Sequence, residues 1–185
     1  QGWARDLASQ QLSVSEAGQR LERLVAEYDE FEMLSWLDAD RAVRLQVSAP
    51  ALSDDALMRR ADALRGDGLH NEIGLAFEVK QAIFSPPFFL QKDDPTLTLT
   101  VPILRRGMLL GALVAHISTE NLLRAGIPNE VSARYAISLQ DEKAQVLAGR
   151  THTEKPSLSK DLFWGPAPNF TMAVPPVGNR MVLHA

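Results

Sequence analysis

From Leu7 to Phe31 the apolar positions recur at helical steps, most regularly at Leu21, Leu24, Val25, Tyr28 and Phe31, with Glu22, Arg23, Glu27 and Glu30 between them. One face is apolar and the other charged, which predicts an amphipathic helix able to lie on a sheet or against a second copy of itself. Met33 to Asp38 and Val43 to Val47 read as two short strands around a polar Asp38–Arg41 turn, a hairpin by composition and loop length. Ser53 is placed to cap a helix whose buried stripe is Leu57, Ala61 and Leu64 and which Gly66 stops. A further helix, Asn71 to Ile83, must end before Pro86-Pro87, because proline lacks the backbone donor and disfavours helix in the residue before it.

Thr96 to Ile103 alternates with period two, placing Leu97, Leu99, Val101 and Ile103 on one face and Thr96, Thr98, Thr100 and Pro102 on the other. The turn Arg105-Arg106-Gly107 returns the chain as Met108 to Ile117, a nearly all-apolar strand that reads as buried on both sides. Ser118 precedes a short helix carrying Leu122 and Leu123 that Gly126 ends. Tyr135–Leu139 with Gln145–Ala148, and Phe170–Val174 with Met181–His184, are two more expected hairpins. Thr151 to Lys160 reads as a surface loop.

Composition narrows the function. Nineteen basic against 23 acidic residues leave a net charge of -4, so no positive field exists to gather nucleic acid. The chain has no cysteine, which excludes thiolate metal sites, disulfides and a cysteine nucleophile. Met108–Ile117 is its longest mostly apolar run, well short of the roughly 20 residues a membrane helix needs. The chain starts on Gln1 with no signal-peptide pattern and reads as a segment of something longer.

Enzyme signatures are missing: there is no GxSxG elbow, HExxH, phosphate-binding GxxxxGK[ST] or dinucleotide GxGxxG. The histidines, His70, His116, His152 and His184, are scattered, and the acid pairs Asp38/Asp40, Asp54/Asp55 and Asp93/Asp94 fall at turns and element starts where carboxylates cap backbone donors. No catalytic residue, metal site or cofactor is expected. Binding candidates are clearer. His116 lies in an apolar strand on the face of Leu110, Ala112 and Val114, pointing into either a core or a cavity beside Ala112. Thr98 and Thr100 form a hydroxyl ladder that either faces solvent or offers donors to a ligand carboxylate. Arg134 and Tyr135 enter a strand on opposite faces, and the Arg fork suits an acidic ligand. Ser85 sits in Phe84-Ser85-Pro86-Pro87-Phe88-Phe89, which is too aromatic for an idle loop and is either a plug over the sheet edge or the lid of a pocket.

The order of elements, together with "FEMLSWLDADRAVRL", "IFSPPF", "LTLTVPILRRGMLLGALVAHISTENLLRAGIP" and "RYAISLQDEKAQVLAG", resembles the extracytoplasmic PAS-like (Cache/PDC) sensor domains of bacterial transmembrane receptors, over about residues 20 to 150. Lys143-Ala144 stands where that pattern usually has a turn glycine, and the Arg-x-Trp-Tyr box of amino-acid-binding double Cache domains is absent from "RGDGLHNEIGLAFEVKQ". The resemblance implies an α+β fold with the long N-terminal helix packed on a central antiparallel sheet with flanking helices. It implies a single sensor domain over 1–185, with the N-terminal helix in 1–31 and the sheet and flanking helices in 32–185. It further implies a non-enzymatic periplasmic segment of an inner-membrane sensor histidine kinase. A diguanylate cyclase or chemoreceptor is the alternative parent. The expected partners are a small-molecule ligand and a second copy docked through the N-terminal helix, with no nucleic acid and with the membrane reached only through flanking segments. Competing readings are a ligand-free dimerisation or docking module, a small α+β hydrolase, and a cytoplasmic PAS domain.

Overall fold

The computed structural model of the protein describes residues 14–91, 94–132, 135–150, 171–174 and 181–184. The elements are α1 (Val14–Glu27), β1 (Phe31–Asp38), β2 (Val43–Ser48), α2 (Asp54–Ala63), α3 (Asp67–Val79), β3 (Ile83–Phe84), β4 (Phe88–Gln91), β5 (Asp94–Arg105), β6 (Met108–Ser118), α4 (Thr119–Gly126), α5 (Asn129–Ser132), β7 (Ile137–Gln140), β8 (Val146–Arg150), β9 (Thr171–Ala173) and β10 (Val182–His184). The chain divides into two compact units at Ser118/Thr119, where the sequence reads as one domain.

The first unit is built on a six-stranded antiparallel sheet in the order β2-β1-β6-β5-β3, with β4 also paired to β5. Its centre is β6, buried from Gly111 to Ile117 as the all-apolar run demands. Across the sheet Met33 pairs with His116 and His116 with Thr98; one step on, Ser35 pairs with Val114 and Val114 with Thr100. Period-two alternation therefore sets Met33, Ser35, Val114, His116, Thr98 and Thr100 on one face. Leu57, Leu64, Ile73 and Phe77 from the α2–α3 region pack against that face, around Met33, Leu37 and Val114. The other face carries Leu34, Leu99, Leu113 and Ala115 toward α1.

Local chemistry explains most boundaries. The Ser53 hydroxyl accepts from the Ala56 amide at 3.3 Å, with Asp54 and Asp55 in the positive first turn of α2. Between β5 and β6, Arg106 and Gly107 both have positive φ, +50° and +81°, as a two-residue primed turn requires. Gly111 has φ +152°, and a Cβ there would run into the Leu37 carbonyl oxygen, so only glycine lets β6 approach β1.

Three expectations change. The first helix stops at Glu27, and Phe31 opens β1 instead of closing the helix; residues 7–13 lie outside the described residues. The second flanking helix runs Asp67–Val79, because Lys80 turns left-handed at φ +54° and frees Ile83 and Phe84 to pair with β5. Gly66 precedes that helix as its N-cap, while α2 ends at Leu64.

The second unit is a four-stranded sheet, β8-β7-β10-β9, whose strands follow the two expected hairpins, with α4 against β7 and β8. Leu123 of α4, Ile137, Leu139, Leu147 and Met181 are buried here. The Thr119 hydroxyl, itself buried, donates to the Leu147 carbonyl at 3.0 Å.

Candidate functional site

The face of the first sheet beneath α2 and α3 carries a set of polar side chains that a folded core ordinarily avoids. Ser35, Thr96, Thr98 and His116 are buried there, and the Ser35, Thr96 and Thr98 hydroxyls and both His116 ring nitrogens have no hydrogen-bond partner. Thr100 is buried on the same face. A buried hydroxyl left unpaired costs about 1–3 kcal/mol, so a group of them on one sheet face marks a place where something polar belongs.

Strand register brings the group together. His116 is the direct neighbour of Thr98, and Thr96 lies one same-face step along β5. Phe88, paired with Thr96 through β4, sets its ring edge-on to the His116 imidazole at 6.4 Å and 81°. Phe88 thus adds an aromatic ring to this face from the β4 side. Ser85 is buried beside it and already engaged: its amide donates to the Thr98 carbonyl and its hydroxyl accepts from the Thr98 amide, both at 2.8 Å.

The electrostatics are neutral. Burial, with the nearby Arg60 guanidinium second, lowers the His116 pKa to about 3, so at neutral pH the ring is uncharged, with one nitrogen a donor and the other an acceptor. Arg60 reaches inward from α2 with 1% of its surface exposed, and its Nε and Nη2 both donate to Glu32 Oε2, at 3.0 and 2.6 Å. Its Nη1 donates to the Ala56 carbonyl at 3.2 Å. The buried cation is therefore balanced by a carboxylate on β1.

Of the six residues singled out from the sequence, Ser85, Thr98, Thr100 and His116 share one region of the first unit. The solvent-facing alternative for Thr98 and Thr100 is overturned, because α2 and α3 cover that face. Tyr135 belongs to the second unit, precedes β7 and is 51% exposed. Arg134 lies outside the described residues. Sequence reasoning missed Arg60, Ser35 and Thr96. Arg60 occupies the stripe of Leu57, Ala61 and Leu64, and Ser35 interrupts an apolar strand; both spacings were readable.

The opposite face holds a cavity of about 300 Å³ lined by Leu24, Tyr28, Phe31, Leu34, Leu99, Val101, Leu113 and Ala115, with Glu30 at its side. It is almost wholly apolar and lacks the convergent polar groups that orient a metabolite. Among the described residues no three His, Asp or Glu side chains gather as a metal site, and no helix is long and apolar enough to cross a membrane.

No family model matches the chain, and no curated protein matches it in sequence. Solved structures do resemble it. The sensory domain of the Campylobacter jejuni chemoreceptor Tlp3, with isoleucine bound, aligns at TM-score 0.53 and 15% identity over 98% of this chain and 78% of that one. The ligand-binding domain of the same receptor with L-valine aligns at 0.53 and 14%, over 98% and 79%. An extracellular ligand binding receptor from Desulfohalobium retbaense aligns at 0.59 and 12%, over 98% of this chain and 34% of that one. The shared property is the fold: a helix, an antiparallel sheet and flanking helices.

Proposed function

We propose that this chain is the extracytoplasmic ligand-sensing region of a membrane-anchored bacterial receptor and that a small molecule binds on the sheet face beneath α2 and α3. The observation that carries the proposal is the unpaired buried group Ser35, Thr96, Thr98 and His116. The resemblance to ligand-binding domains of chemoreceptors supports it. A ligand that pairs those atoms lowers the free energy of the arrangement that presents them, and this differential affinity biases the domain toward one conformation. The segment carries out no bond chemistry in this reading.

The proposed output is a sensor histidine kinase, with chemoreceptor and diguanylate cyclase as alternatives. A homodimer through the N-terminal helix and a periplasmic location belong to the same proposal. The apolar residues of α1 that are buried, Ala17, Leu21 and Val25, pack within the first unit, and Val14 is exposed as a contact for a second copy.

A thermal-shift screen of organic acids, amino acids, amides and polyols against the purified segment tests the proposal. A ligand at 100 times its Kd adds about 2.7 kcal/mol of stability. The same ligand should give no shift with Thr98→Val or His116→Phe, provided the variants melt cooperatively. A hit that stabilises both variants as much as the parent would remove the site from this face.

A further inference from the structure

Resting on that reading of the site, we propose that the ligand is a small uncharged molecule bearing both a hydrogen-bond donor and an acceptor, of the primary amide or alcohol type, and that carboxylates and ammonium compounds are excluded. The unpaired atoms set the terms. Three hydroxyls, on Ser35, Thr96 and Thr98, each offer one donor and accepting lone pairs, and the imidazole offers one donor and one acceptor. A ligand that only accepts would leave the His116 acceptor nitrogen unpaired, and one that only donates would leave its N–H unpaired.

Charge balance gives the second argument. The Arg60 guanidinium bears on the His116 ring, and it is already held by Glu32 through two hydrogen bonds. A carboxylate placed here would be stripped of water beside a guanidinium that Glu32 already engages. An ammonium group would meet only neutral hydroxyl and imidazole acceptors among the unpaired atoms, with the Glu32 carboxylate already engaged by Arg60. Desolvating either ion costs several kcal/mol, which hydroxyl partners alone do not return. The neutral imidazole, kept uncharged by its burial, adds polarity without adding charge.

The test uses an isosteric pair, acetamide and acetate, titrated into the whole segment labelled with 15N-histidine, with the ring signals of His116 assigned through the backbone and His70, His152 and His184 as internal controls. The expected result is a saturable perturbation of His116 by acetamide, reduced in Thr98→Val, and an affinity for acetate at least tenfold weaker. Equal or stronger perturbation by acetate would overturn the choice of ligand class while leaving the site in place. Silence of His116 toward both probes would overturn the site reading itself, and with it the ligand class.

Discussion

Replacing His116 with Phe tests the electrostatic reading of the buried face through the pH dependence of stability. In the folded chain the His116 pKa is pushed down to about 3, against an ordinary 6.5, chiefly by burial. The native ring stays neutral while the unfolded ring takes up a proton below 6.5. Stability from this group is therefore complete above about pH 6.5 and is lost as pH falls toward about 3. The slope is about 1.4 kcal/mol per pH unit, so between pH 7.5 and 4.5 the parent should lose about 2.5 kcal/mol that the Phe variant keeps. Urea titrations of both proteins at pH 7.5, 6.5, 5.5 and 4.5 measure this as a difference, in which the carboxylates common to both cancel. A parent-minus-variant difference flat across that range would mean that the folded imidazole titrates normally, and the neutral-site argument would fall with it.

Four more outcomes follow from single side chains. Gly111→Ala forces a Cβ onto the Leu37 carbonyl at positive φ and should cost about 2 kcal/mol or more, read as a lower urea midpoint with unchanged m-value. Glu32→Gln strands the buried Arg60 charge and should destabilise by about 3 kcal/mol, whereas Glu32→Leu combined with Arg60→Met should recover most of that loss. Glu72, half-buried, has its pKa raised to about 7 by desolvation, so stability from its protonated form is complete below about 4.5 and lost as pH rises through 7; Glu72→Gln should therefore gain on the parent over that interval in thermal melts and hold the gain above it. Ala144 sits at φ +60° in the β7–β8 turn, with the Asp141 carboxylate accepting from the Lys143 and Gln145 amides, and Ala144→Gly should raise stability by about 1 kcal/mol, read as a rise of a few degrees in Tm.

Much of the fold was legible because its strands carry strong local patterns. Thr96 to Ile103 and Met108 to Ile117 read as strands, and Arg105-Arg106-Gly107 as the turn between them. Helix ends were less readable: Lys80 adopts a left-handed cap that glycine usually supplies, and Phe31 fits a helical stripe as well as it fits β1. Asp67–Val79 begins four residues earlier than the apolar pattern, because its first turn is polar and Gly66 caps it without a side chain. At the site, His116 and Thr98 announced themselves as polar residues in apolar strands. Their burial did not, since alternation says that two faces differ and leaves open which is covered. Arg60 escaped because a charged residue within a helical stripe reads as solvated until the Glu32 partner, 28 residues away, is in place.

In the proposed function the polar face beneath α2 and α3, and not the apolar cavity beneath α1, holds the signal molecule. A crystal structure of the segment with the first compound that stabilises it measures this directly. Ligand density is expected within hydrogen-bond distance of Thr98, His116 and Ser35. Density lodged instead between Leu24, Leu99 and Leu113, with the hydroxyls and imidazole paired only to ordered water, would contradict it.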